Sequence, residues 1–392
     1  MQNFRIGRLC EAAREQGAEC LVASSAENIA YLTGGYVSVG QSVSASTQIY
    51  AVLSVTKKTV SYVASVADVP NILEFAGLDT NIYCYGPFHF DFEEDGDAFV
   101  RTARRICTER FTTAEEALAA AVKNAGGVPA FDENHINFVL ARNISQSLGI
   151  TALSAASSIF REARRIKHPE EIRLLRESAQ TAEAALLEAL EGIQPGITEE
   201  KLQLRYRQAV IRRGAIPYFF VATAAHRAAY VDAHNTALAI REGDMIRFDF
   251  GCVWQGTYSD LARTAVIGKA GPEITKAYGA VEAGVKAMLA ELRPGVTAEA
   301  LFETAVRTAR ENGLPDYTRS HCGHGIGLEG YDVPSIASGV AMELEENMVL
   351  CVETPYYRVG WGGVQVEHTV AVTKDGFTFM DSGDSSLIVV PN

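Results

Sequence analysis

The chain has 392 residues, of which 47% are hydrophobic and 21% charged, and its formal net charge is −13. At roughly 150 residues per domain the length predicts two or three domains, and the composition supports a large core without a disulfide scaffold. The acidic balance excludes a nucleic-acid binder, which needs a basic face, and leaves room for carboxylates that a cation would neutralise.

The chain opens Met1-Gln2-Asn3-Phe4-Arg5-Ile6, without the apolar run of a signal peptide, and no later segment is apolar enough to span a bilayer. Seven cysteines, with no C-x-x-C pair, fit free thiols in a reducing compartment. A cytoplasmic protein without membrane contact is therefore expected. Residues 6–32 carry helical spacing, the apolar run Cys20-Leu21-Val22-Ala23, and a second helix-like piece reaching Tyr31-Leu32. Strands are predicted at 48–55 and 59–64, and helices at 114–125 and 143–148. Alternation of this kind reads as an α/β domain. Its acidic run, Asp91 to Asp97, reads as a solvated loop. Near 161–172 four basic residues precede Pro169-Glu170-Glu171, a helix-start signal. The boundary is set there, giving domains 1–163 and 164–392.

The second part repeats itself. Pro195-Gly196-Ile197-Thr198-Glu199-Glu200-Lys201-Leu202 returns as Pro294-Gly295-Val296-Thr297-Ala298-Glu299-Ala300-Leu301. Thr198 and Thr297 stand as helix N-caps, with acids in the first turn. Each copy is followed by strand-like sequence, so a duplicated helix–helix–hairpin unit is expected.

Each duplicate brings a carboxylate pair. Met245 to Gly251 and Tyr258 to Val266 are strand-like, around a turn at Trp254-Gln255-Gly256-Thr257. A turn centred between Trp254 and Gln255 sets Asp249 directly opposite Asp260. Met348 to Glu353 and Val364 to Val372 form the second hairpin, and a turn about Gly360 sets Glu353 opposite Glu367. Like charges facing each other on a sheet are destabilising. A pair of divalent metal ions is the economical compensation. Four carboxylates and one imidazole suit Mn, Co, Fe or Zn. The imidazole is His324, in His321-Cys322-Gly323-His324-Gly325-Ile326-Gly327, whose glycines let backbone approach closely. Gly325-x-Gly327-x-x-Gly330 mimics a dinucleotide fingerprint, but Tyr331-Asp332-Val333-Pro334 follows where that motif needs a helix.

These residues resemble the pita-bread metallohydrolases, which include methionine aminopeptidase, aminopeptidase P and prolidase. The Asp, Asp, His, Glu, Glu motif maps onto Asp249, Asp260, His324, Glu353 and Glu367. Asp249-Phe250-Gly251, Ser259-Asp260, Gly323-His324-Gly325-Ile326-Gly327 and Trp361-Gly362-Gly363-Val364 look like the prolidase and aminopeptidase P branch. Residues 5–35, ending Asn28-Ile29-Ala30-Tyr31-Leu32-Thr33-Gly34, look like the start of its creatinase-type N-terminal domain. The resemblance implies a creatinase-type α/β domain followed by a pseudo-symmetric pita-bread catalytic domain of α+β type. It implies a homodimer, two divalent metal ions (Mn, Co or Zn), and a small peptide substrate, Xaa-Pro.

By that analogy Asp249 is a terminal ligand of one metal, Asp260 and Glu367 bridge, and His324 and Glu353 hold the second. A metal-activated hydroxide would cleave the Xaa-Pro bond of a dipeptide, with Glu353 shuttling the proton. His234, in Asp232-Ala233-His234-Asn235, and Tyr331 would hold the carbonyl oxygen. The chain departs from the branch at Tyr331, where histidine is usual, at Gln365, where arginine is usual, and at His368, where aspartate is usual. Thr354-Pro355 stands where Pro-Gly is common. These changes bear on how a free carboxylate terminus is read. The alternatives are an Xaa-Pro aminopeptidase on longer peptides, a creatinase-like small-molecule hydrolase or lyase, and a non-catalytic binding module, which would lack the metal ligands.

Overall fold

The structure is a computed structural model and describes residues 1–44 and 47–391. The chain divides into two compact units, Met1–Arg164 and Arg165–Asn392. Among the described residues no helix is long and apolar enough to cross a membrane.

The first unit is built on a six-stranded mixed sheet. Its strands run in the order Asn81–Tyr85, Thr59–Ser65, Tyr50–Ser54, Cys20–Ala23, Pro129–Phe131 and Ser154–Ala155. The Ala-rich helix Ala114–Ala125 forms where its spacing predicts, opened by a Thr113–Glu116 capping box. It buries Ala117, Leu118, Ala121 and Val122 against Val22, Val52 and Val63 of the sheet. The helix predicted at 143–148 begins earlier and spans Phe138–Leu148, with Asn137 capping it through the amide of Leu140. Phe138 and Val139 are exposed, so the first turn carries no core-facing pattern to betray it. The acidic run ends in Asp97, which caps the helix Ala98–Thr108 through the amide of Val100.

The second unit realises the repeat. Helix Pro169–Leu190 packs on Glu199–Arg212, and Pro272–Glu291 on Ala298–Glu311. Thr198 accepts from the Lys201 amide and Thr297 from the Ala300 amide, which places both as N-caps. The preceding turns match as well. Gly196 donates to the Ile240 carbonyl at 2.7 Å, and Gly295 to the Leu344 carbonyl at 2.9 Å. The sheet beside these helices runs Asp332–Ser335, Gly323–Gly325, Val349–Glu353, Glu367–Val372, Leu261–Ile267, Met245–Trp254 and Ile216–Ala224.

Period-two alternation divides each central strand into a core side and a polar side. Phe248, Phe250 and Cys252 pack among Ala179, Leu186 and Tyr206 of the first helix pair. Leu350, Val352, Val366 and Val370 pack among Val281, Val285 and Leu301 of the second. Each buried Phe or Leu contributes about 1.5–3 kcal/mol, and this seals one side of the sheet. Arg247, Asp249, Cys351, Glu353, Glu367 and Thr369 are left on the other.

One register differs from expectation. Asp249 pairs with Ala262, so Asp260 lies two residues away from the position directly opposite it. The hairpin closes as Val253 with Tyr258 and Trp254 with Thr257. Gln255 (φ 48°) and Gly256 (φ 78°) are therefore the central residues, in the left-handed conformation of a type I′ turn. The turn centre sits one residue later than predicted, and each partner shifts by two. In the second hairpin Glu353 pairs with Glu367, as predicted.

Candidate metal centre

A row of paired positions crosses four adjacent strands: Asp249, Ala262, Glu367 and Glu353. Three of the four are acids. Two residues along, His324, Cys351 and Thr369 form a parallel row. Thr369 Oγ1 donates to the carbonyl of Asp260 at 2.8 Å and anchors that residue at the start of its strand. His324 Nε2 lies 3.5 Å from Asp260 Oδ2, and its Nδ1 sits 2.9 Å from the carbonyl of Gly325. The five predicted ligands thus converge. Asp260, His324, Glu353 and Glu367 are buried, and Asp249 is half-buried.

The glycines around His324 have a steric reason. A Cβ on Gly323 would stand 2.1 Å from the Cys351 carbonyl oxygen, and one on Gly325 2.3 Å from that of Val333. Backbone cannot yield to such contacts, so the imidazole is mounted on a strand that only glycine allows so close to its neighbours.

Burial and mutual repulsion dominate the electrostatics. Burial pushes Asp260 well above the usual carboxylate range, and the charges of Asp249 and Glu353 push it further. Glu367 is raised for the same reasons, by burial first and then by Asp260, Glu353 and Asp249. Burial lifts Asp249 to about 6 despite the opposing guanidinium of Arg247. Glu353 goes the other way. Burial pushes it up, but a hydrogen bond from His321 and the charge of Arg319 outweigh that and hold it low. His321 Nε2 is 3.2 Å from Glu353 Oε1. Burial lowers His324, favouring the neutral imidazole that a ligand must be.

The arrangement fits a divalent cation. Asp260 Oδ1 is buried with no hydrogen-bond partner among the described residues. Ligand atoms of Asp260, His324, Cys351 and Glu367 all lie within 4.8 Å of one another. A cation among them would satisfy the orphaned oxygen and reverse the repulsion that raises the carboxylates.

The two substrate-side candidates are placed differently. Tyr331 stacks on His324 with ring centroids 3.8 Å apart and an interplanar angle of 25°, and it remains 61% exposed. Its hydroxyl makes no hydrogen bond among the described residues. His234 is exposed in the loop after the short helix Ala225–Ala229, where its carbonyl accepts from Arg227 Nη2 at 2.7 Å. Its ring makes no hydrogen bond to the carboxylates among the described residues.

Two participants escape the sequence reading, and a third, Gln365, enters it only as a departure from the branch. Gln365 Nε2 donates to Glu353 Oε2 at 3.1 Å and to Asp249 Oδ2 at 3.4 Å, so it belongs to the centre, not merely to its periphery. Arg247, fully buried, stands 3.4 Å from Asp249 Oδ2. His321 holds Glu353. Arg247 lies two residues before Asp249 on the strand Met245–Trp254, and that spacing alone puts it on the ligand's side, whereas Gln365 lies in the break before the strand Glu367–Val372.

His368 points away from the centre. Its Nδ1 is 3.0 Å from Asp381 and its Nε2 2.9 Å from Ser385 Oγ, which fastens the C-terminal segment to the sheet.

The chain is similar to known proteins. The sequence matches the profile of metallopeptidase family M24 over residues 173–374. It is 27% identical over 246 residues to the Xaa-Pro dipeptidase of Pyrococcus furiosus, covering 62% of this chain and 71% of that protein. It is 30% identical over 253 residues to the probable dipeptidase PepE of Mycobacterium tuberculosis, covering 63% of this chain and 66% of that one. The solved structure of the Xaa-Pro dipeptidase from Bacillus anthracis superposes with a TM-score of 0.83 at 22% identity, over 99% of this chain and all of that one. The pita-bread fold and the domain that precedes it are thereby shared. With just over half of the chain inside the family match, and a buried donor set that fits a cation within it, the protein belongs to metallopeptidase family M24 and is a divalent-metal-dependent hydrolase of peptides.

Proposed function

We propose that the protein hydrolyses the Xaa-Pro bond, with Xaa-Pro dipeptides as its substrates, and that two divalent ions (Mn, Co or Zn) serve the reaction. The observation that carries this is the convergence of Asp249, Asp260, His324, Glu353 and Glu367 on one side of one sheet. The names of the relatives supply the substrate class. Asp249 would hold one ion, His324 and Glu353 the other, and Asp260 and Glu367 would be shared. Bound metal supplies a nucleophile at neutral pH by lowering the pKa of water from about 15.7 toward 7, and it polarises the scissile carbonyl.

The chain's own groups handle the proton and the developing charge. Glu353 is held ionised by His321, and Gln365 fixes its second oxygen. It is therefore ready to accept the proton of the attacking water at one carboxylate oxygen and deliver it to the leaving proline nitrogen. The Tyr331 ring, set over His324, carries a free hydroxyl that would donate to the carbonyl oxygen as negative charge builds there. His234 lies on an exposed loop and would meet the substrate from outside.

Gln365 favours a second reading, an Xaa-Pro aminopeptidase on longer peptides. Its amide is committed to Arg247, Asp249 and Glu353, so no guanidinium at that position meets a free C-terminal carboxylate. Rates on Ala-Pro, Ala-Ala, Ala-Pro-Ala and creatine at equal concentration decide between them. Ala-Pro should be fastest. A preference for the tripeptide would establish the aminopeptidase, and turnover of creatine alone would end the peptidase reading.

Seven free, buried cysteines support a reducing, cytoplasmic setting. The homodimer rests on the resemblance to the family.

A further inference from the structure

Cys351 stands two residues before Glu353 on the same strand, so its thiol falls on the ligand side. It is fully buried, and its cross-strand neighbours are His324 and Thr369. The cluster in which four donor atoms lie within 4.8 Å of one another includes its sulfur, beside a carboxylate oxygen of Asp260, a ring nitrogen of His324 and a carboxylate oxygen of Glu367. Among the described residues no other cysteine joins it. Cys322, next to the centre in sequence, belongs to the core cluster of Leu350 and Val352, while Cys351 borders both the donor set and the core cluster of Ile326 and Val349.

The sulfur is weakly engaged. Its nearest partners are the carbonyl of Asp260 and the hydroxyl of Thr369, each at 3.7 Å. The second observation is independent of the thiol. The carboxylate of Asp260, 6% exposed, is aimed into the same cluster with Oδ1 unpartnered. A buried oxygen left in that state calls for a partner, and a cation is one that suits a carboxylate.

We propose that Cys351 is a metal ligand, its sulfur joining Asp260, His324 and Glu367 around one ion of the centre. This rests on the metal-dependent reading above and deepens it. As the sulfur–metal bond forms, the S–H bond breaks and the proton passes to the buffer. A thiolate among oxygen donors shifts preference from Mn toward Zn, Co and Cd. The centre is then selective by composition, where an all-oxygen-and-imidazole set would be more permissive.

Cobalt titrated into metal-free protein reads the sulfur directly. Wild-type protein should develop visible cobalt bands together with a near-ultraviolet thiolate-to-cobalt charge-transfer band. Cys351→Ser should keep the visible bands and lose the near-ultraviolet one, whereas Cys322→Ser should keep both. Cadmium should bind Cys351→Ser at least about tenfold more weakly, with Mn affinity within about twofold of wild type. Cobalt bound by the wild type without the charge-transfer band would overturn the proposal while leaving the metal centre standing. The same holds if the band survives in Cys351→Ser. No cobalt binding at all would overturn both, so the two failures are distinguishable. The wild-type spectrum decides even if a variant does not fold.

Discussion

Arg247 donates to the side-chain oxygen of Gln365 at 2.9 Å, and that bond determines which way the Gln365 amide points. The Tyr357 hydroxyl lies on the same oxygen at 3.2 Å. The amide nitrogen is thereby turned toward Asp249 and Glu353, one carboxylate from each half of the repeat. Three of the other guanidinium hydrogens go to the carbonyls of Ala228, Tyr230 and Val231 at 2.7–3.0 Å, and one to Asp249 at 3.4 Å. One buried cation thus ties the centre to the loop that leads to His234.

Removing that cation should be costly. Arg247→Met leaves three carbonyls without their guanidinium donor and takes one of two donors from the Gln365 oxygen and from the Asp249 carboxylate. Breaking a buried charged network of this kind costs about 3–5 kcal/mol. Urea unfolding of the metal-free protein measures it. A loss under about 1 kcal/mol would show that water replaces the guanidinium without penalty.

Tyr331 separates into a ring and a hydroxyl. Tyr331→Phe keeps the stacking on His324 and removes only the donor, so kcat should fall about 10- to 1000-fold with metal content unchanged. Tyr331→Ala also removes the ring and should weaken metal binding by freeing the imidazole. A Phe variant with wild-type kcat/KM would end the catalytic role of the hydroxyl.

Gly325→Ala places a methyl group 2.3 Å from the Val333 carbonyl oxygen. The strand must move, and His324 moves with it. Overpacking of this kind costs about 1–3 kcal/mol, and metal affinity should fall in parallel. Calorimetric unfolding with and without metal checks both. An unchanged metal-induced rise in Tm would show that His324 keeps its place.

The raised carboxylates set a pH dependence. Asp249 rises from an ordinary value to about 6 on folding, so its contribution favours the fold at low pH and is lost as pH climbs from about 4 through 6. Glu353, held low, contributes in the opposite sense and loses its share as pH falls through its lowered value. In metal-free protein Asp249→Asn should therefore gain on wild type between pH 4.5 and 7.5, by about 2 kcal/mol. Urea unfolding in the presence of a chelator at the two pH values measures the gain. A stability difference between variant and wild type that does not change with pH would contradict the raised Asp249. Bound metal should abolish the gain, since a cation favours the ionised aspartate.

Much of this centre is legible in the chain because hairpins are local. Glu353 and Glu367 are read correctly across their turn, since the strands beside Gly360 pair symmetrically about it. Asp249 and Asp260 are read two positions out of register because the turn was centred on Trp254 and Gln255. The pair Gln255-Gly256 carried the better signal, as glycine is favoured where both central residues need positive φ. The repeat was visible through its Thr caps. What stayed hidden is contact between distant strands. No local pattern announces that Gln365 reaches Asp249, or that Tyr331 lies on His324. The thiol of Cys351 read as one free cysteine among seven until its cross-strand neighbours were known.

The most direct test of the account is metal content measured alongside Ala-Pro turnover, in wild type before and after prolonged chelation and in Asp260→Ala. Chelated wild type should lose both metal and activity, and Mn, Co or Zn should restore both. Asp260→Ala should hold less metal and lose turnover together with it, because that carboxylate would be shared by both ions. Full metal content with persisting activity in Asp260→Ala would contradict the assignment of this buried carboxylate cluster as the catalytic metal centre.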